Sequence, residues 1–165
     1  MSRSCDATSK HAVNAPTLTS LTALTARLHS EGCTLVVLPE GSDTPRCYNE
    51  RGVATLYHLY TEQPALLRGA SIADKVVGKG AAALMVAGGV ARLHALVLSM
   101  EAQALLNQSQ VAYTYDALVP HIINRSGTDW CPIERLCHDC TQPMACIARI
   151  ADFVARQAQQ SENPT

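Results

Sequence analysis

The chain has 165 residues, 47% of them apolar, with 13 Lys and Arg against 14 Asp and Glu and a formal net charge of -1. That length supports a single domain with a full core, while the near-zero charge and a lone Phe and a lone Trp argue against a phosphate-attracting surface or a base-stacking platform, so nucleic acid is not an expected partner. No apolar run approaches the roughly 18 to 20 residues that span a bilayer, and MSRSCDATSK lacks a signal-peptide core, so the expectation is a cytoplasmic protein without a membrane partner, its 7 cysteines mostly reduced.

Residues 1–15 are polar and without periodicity, and are expected to form a flexible N-terminus ahead of one domain over 16–158, with 159–165 as a loose tail. From Pro16, the residues Leu18, Leu21, Leu24 or Thr25, and Leu28 recur at helical spacing, and Gly32 provides a stop. The apolar run at 33–38, CTLVVL, has strand length. Turn-rich PEGSDTP follows, and residues 46–49 can return as a second strand, giving a hairpin. Val53, Leu56, Tyr57 and Tyr60 mark a second helix, and Pro64 opens a turn that ends at Gly69.

The stretch 69–89, GASIADKVVGKGAAALMVAGG, is predicted to be one central helix around which the chain is organised. Ser71 and Asp74 have the spacing of a capping box, and Gly88-Gly89 is a strong stop. Ile72, Val76, Ala83, Leu84 and Ala87 would share one side, with Ala81 and Met85 opposite, so such a helix is buried nearly all round. Its lysines, Lys75 and Lys79, stand four apart and would share a face. Beyond it, 93–98 reads as a buried strand, Ser99 as the cap of a helix running to about Asn107, and Val111, Tyr113 and Tyr115 as a half-buried strand. NRSGTDWCP is a loop, CPIERLC a short helix, and 143 to about 157 a final helix with Met144, Ile147, Ala151 and Val154 on one face. Helices alternating with short strands imply a layered α/β domain with a mixed sheet.

The segments LHSEGCTLVVL, ERGVATLYHL, GASIADKVVGKGAAALMVAGGV and LVPHIINRSGTDWCPIERL together resemble the bacterial family catalogued as domain of unknown function eighteen ninety-three, over roughly residues 27–150. The resemblance implies a cytidine-deaminase-like fold, a three-layer α/β/α sandwich, and supplies no activity. Zinc deaminases need H-x-E and P-C-x-x-C. Neither piece stands where it is required: the central stretch reads Ala73-Asp74-Lys75, and Cys137-His138-Asp139-Cys140 follows Leu136 rather than proline. Zinc-dependent deamination is not expected.

Two constellations remain. Lysines at a helix start run against its dipole and ask for an anion, so Ser71, Asp74, Lys75 and Lys79 form a candidate site for a small anionic molecule or nucleotide, over which a loop carrying Asn124 and Arg125 could close. The plainer reading pairs Lys75 with Asp74 or a nearby acid, lets Lys79 reach solvent, and gives Gly78 and Gly80 to helix packing. Cys131, Cys137, Cys140 and Cys146 follow the spacing C-x5-C-x2-C-x5-C, and could hold zinc or an iron–sulfur cluster, although only one C-x2-C knuckle is present. Cys131 before Pro132 is also the expected N-cap of the short helix. There a thiol can act as a nucleophile, a role that Glu134 in the same turn opposes. The sequence therefore leaves open a ligand-binding protein, a metal or thiol protein, and a structural or interaction domain, with homo-oligomerisation possible in each.

Overall fold

The computed structural model describes residues 16–50 and 52–162, with side chains from Leu21 onward. In chain order the elements are α1 (Pro16–Ser30), β1 (Leu35–Leu38), β2 (Arg46–Tyr48), α2 (Ala54–Glu62), a 3-10 turn (Pro64–Leu66), β3 (Ser71–Val77), α3 (Lys79–Gly88), β4 (Arg92–Ser99), α4 (Met100–Leu106), β5 (Ala112–Val119), α5 (Pro132–Cys137) and α6 (Pro143–Glu162). The sheet has the order β2-β1-β3-β4-β5. β1 runs antiparallel to both β2 and β3, whereas β3, β4 and β5 are parallel. The carboxyl ends of the three parallel strands therefore lie along one edge of the sheet, with the start of β1 and the end of β2 beside them.

Alternation along β1 assigns the two faces. Val36 packs with Ala73, Cys33, Leu24 and Leu28 under α1. Leu35 and Val37 face the other way, joining Ile72, Leu93 and Ala95 against Leu56, Leu84, Leu106 and Ile150 of α2, α3, α4 and α6. The result is a three-layer α/β/α domain. As expected, α3 is buried nearly all round, from Ala82 to Met85, and it ends at Gly89 in the left-handed conformation with φ 76°. Gly80 lets α3 lie close to its neighbours: a Cβ there would collide with Ile133 Cγ2 of α5 and stand 3.2 Å from Ile150 Cδ1 of α6.

The expectation of a single helix over 69–89 is corrected. Residues Ser71–Val77 form the central strand, and the helix starts only at Lys79. Ile72, Val76 and Val77 are β-branched and suit a pleated surface, and Gly78 separates strand from helix. Ser71 thus caps no helix. At about 3.3 Å per residue it lies about 20 Å from Val77, at the far end of β3. Asp74 shares the α3 face with Ile72, whereas Lys75 follows Ala73 toward α1, so Lys75 and Lys79 do not share a face. Helix α6 also continues past the expected end near residue 157, as far as Glu162; the sequence RQAQQSE holds good helix formers and no breaker. Among the described residues no helix is long and apolar enough to cross a membrane.

Candidate functional site

The first turn of α3 lies at the carboxyl edge of the parallel strands, the position at which open α/β sheets bind ligands. Here the helix start is already satisfied from within the chain. Glu134, 1% exposed, accepts a hydrogen bond from the Lys79 backbone N–H at 2.9 Å, from Ser99 Oγ at 3.2 Å and from the Ile122 N–H at 2.7 Å. Cys131 is the N-cap of α5, as its place before Pro132 predicts, but its side chain makes no capping bond. Glu134 turns away from the start of its own helix and caps α3 instead. The Gly78 position makes room for it, since a Cβ there would stand 3.2 Å from Glu134 Oε2. The anion expected at this helix start is a protein carboxylate.

Beside it lies a second carboxylate, Glu101, in the first turn of α4. Ser99 sets that turn by accepting from the Ala102 N–H at 3.0 Å, as the sequence leads one to expect. Glu101 Oε2 lies 3.5 Å from Lys79 Nζ, which donates to the His138 carbonyl at 2.8 Å. Glu101 Oε1 bonds His138 Nδ1 at 2.8 Å and lies 3.8 Å from His121 Nδ1. That His121 nitrogen is buried and has no hydrogen-bond partner among the described residues. The His121 ring is stacked on Trp130 with centroids 3.5 Å apart, and the His138 ring meets the Trp130 edge at 5.1 Å. His121 and Trp130 are delivered by the loop after β5, whose base is closed by the Ile123–Trp130 bridge and the Cys131 N–H bond to the Ile122 carbonyl at 2.8 Å, whereas His138 stands at the end of α5.

The product is a recess in which one carboxylate is ringed by an ammonium and two imidazoles, one of them with an unsatisfied nitrogen. Glu101 is 17% exposed, His121 27% and His138 52% by side chain, so the recess is reachable from solvent on the His138 side. Such groups can donate to and accept from a ligand hydroxyl, amide or ring nitrogen.

Of the residues singled out from the sequence, only Lys79 stands in this recess. Ser71 is buried at the opposite end of β3. Asp74 is buried and accepts from the Val76 N–H at 3.2 Å; burial pushes its carboxyl up to about 7, against the opposing pull of the Val76 and Lys75 backbone donors. The Lys75 ammonium has no partner among the described residues, so the anticipated Asp74–Lys75 pair is absent there, and the two side chains leave opposite faces of the strand. Asn124 is used within its own turn: Oδ1 accepts from Ser126 Oγ and the Thr128 N–H, both at 3.1 Å. Arg125 is exposed near the loop tip, with no partner among the described residues.

The four C-terminal cysteines do not gather as one set. Cys137, Cys140 and Cys146 are buried between α3, α5 and α6, whereas Cys131 is half-buried at the loop base. Hydrogen bonding from Cys137 lowers the Cys146 thiol to about 7, while the Cys137 thiol is raised by its bond to Cys146, and Cys140 by burial. Among the described residues, no three of these sulfurs converge within the 4.8 Å that a shared metal ion requires. No hydrogen bond links Cys131 to His121 or Asn124 among the described residues.

The sequence reading missed Glu101, Trp130, Glu134 and His138 as site residues. His121 stood only within the segment LVPHIINRSGTDWCPIERL, with no role attached. The partners of Glu134 lie 12, 35 and 55 residues away, so no local pattern marks it.

The profile of a family described as "Domain of unknown function (DUF1893)" matches residues 23–154. The crystal structure of a DUF1893 family protein, TM1506 from Thermotoga maritima, is similar with a TM-score of 0.73 at 24% identity, covering 87% of this chain and 93% of that one. That likeness bears on the fold, and agrees with the three-layer arrangement. No curated protein matches the chain.

Proposed function

The chain belongs to the DUF1893 family of domains of unknown function, and from that premise we propose that it binds a small anionic or nucleotide-like molecule in the recess formed by Glu101, His121, His138 and Lys79. The single observation that carries this reading is the buried His121 Nδ1, left without a hydrogen bond 3.8 Å from a carboxylate oxygen. Buried polar atoms are nearly always satisfied by protein, water or ligand. A ligand hydroxyl or ring nitrogen seated between His121 and Glu101 would satisfy it. Since Glu134 fills the start of α3, an anionic group on the ligand would have to be met elsewhere. Arg125, on the same loop and without a described partner, is the cation left for it. On this reading the domain is a cytidine-deaminase-like scaffold used without zinc-deaminase motifs.

The test is thermal unfolding of the full chain with a panel of nucleosides and their 5′-monophosphates. A ligand at a hundred times its Kd adds about 2.7 kcal/mol, which for a domain of this size raises Tm by several degrees. His121→Ala is expected to abolish the rise for every compound that produces one in the parent. Arg125→Ala is expected to reduce it only for the monophosphates. A rise that survives His121→Ala would place the ligand elsewhere.

A further inference from the structure

A second group of convergent side chains lies on the opposite side of the sheet from the recess. At the end of α1 and across the first hairpin, Glu31, Cys33 and Cys47 bring one carboxylate oxygen and two sulfurs within 4.8 Å of one another. Glu31 Oε2 lies 3.1 Å from Cys47 Sγ and 4.0 Å from Cys33 Sγ. In a tetrahedral zinc site, with Zn–S of about 2.3 Å and Zn–O of about 2.0 Å, a sulfur and an oxygen ligand stand about 3.5 Å apart. The two distances bracket that value.

The surrounding structure holds these atoms in place. Gly32, at φ 66°, turns the chain out of α1 so that Cys33 enters the core beneath the helix, 4% exposed. The β1–β2 register sets Cys47 opposite Val36, on the same face of the sheet as Cys33. Arg27 lies 3.8 Å from Glu31 Oε1, leaving Oε2 turned toward both thiols, as an outer partner orients a metal-binding carboxylate. The group also stands at the C-terminal end of a 15-residue helix, the end whose dipole attracts a cation. Cys47 is exposed, so solvent reaches the group.

We propose that Glu31, Cys33 and Cys47 bind a thiophilic divalent cation, of which Zn2+ is the type, with solvent in the fourth position. Binding transfers the two thiol protons to solvent and leaves two thiolates and a carboxylate around the metal, with no redox change. This site is separate from the C-terminal cysteines in position, and from the proposed ligand recess in chemistry.

The test uses the full chain, untagged, reduced and freed of metal, with Zn2+ as the probe. One equivalent of Zn2+ is expected to survive desalting and to slow alkylation of Cys47, followed by mass spectrometry, at least tenfold. Cys47→Ser, a change at an exposed position, is expected to lose the metal, and Cys146→Ser to keep it. The proposal is overturned if no Zn2+ is retained, or if retention survives Cys47→Ser. It is equally overturned if Cys33 and Cys47 form a disulfide that added Zn2+ neither prevents nor displaces under reducing conditions, since the pair would then be a redox couple.

Discussion

Two buried carboxylates lie on the α3 side of the sheet, Glu134 beyond the end of β3 and Asp74 midway along it, and their surroundings differ completely. Glu134 receives two backbone N–H groups and a hydroxyl from three separate elements, and ties the start of α3 to α4 and to the loop after β5. Asp74, three residues back along β3 from Val77, receives only backbone donors of its own strand, and no cation faces it among the described residues. A carboxylate held by donors from distant elements is a structural fastener. One buried without a counter-charge stores a cost that can be released by a proton.

The largest expected effect of breaking this contrast is at Glu134. Glu134→Leu fills a similar volume but orphans the Lys79 and Ile122 N–H groups, each costing about 1–3 kcal/mol when buried without a partner. Its urea midpoint should fall sharply, and if it stays within error of the parent the fastener role is wrong.

Asp74 should behave in the opposite sense. Its carboxyl is raised from 3.8 to about 7 in the folded chain, so the folded state binds the proton more tightly than the unfolded one. The stability it contributes is full below pH 3.8 and is lost as the pH rises to about 7. Asp74→Asn should remove that slope and make the variant more stable than the parent at pH 8. The gain is bounded by about 4 kcal/mol, the linkage value of moving a pKa from 3.8 to about 7. Urea unfolding of both proteins between pH 4 and 8 would check it, and parallel profiles would contradict it.

The same contrast accounts for what the sequence made legible. The hairpin, the Ser99 cap and the short helix after Cys131 carry local signals, and each stands in the structure close to where those signals put it. The segment SIADKVV was misread because a central strand buried on both faces has no alternation, and short apolar runs do not distinguish strand from helix by period. Ser71 and Asp74 then mimicked a capping box. The β-branched run before Gly78 was the signal that should have outweighed it. Lys79 was expected inside a helix that starts near Ser71; it opens α3 instead, and the carboxylate at that start is Glu134, brought from 55 residues away. His121 and Trp130 meet only because a loop closes on itself. Their pairing is tertiary, and nothing in HIINRSGTDW announces it.

The measurement closest to the central claim is the nitrogen spectrum of the histidine rings in the full chain, recorded with and without those nucleosides and monophosphates that stabilise it. The account predicts that the His121 Nδ1 resonance moves on ligand addition, while the exposed ring of His58, 3.5 Å from Glu62 on α2, stays in place. A stabilising ligand that leaves His121 unmoved would contradict it.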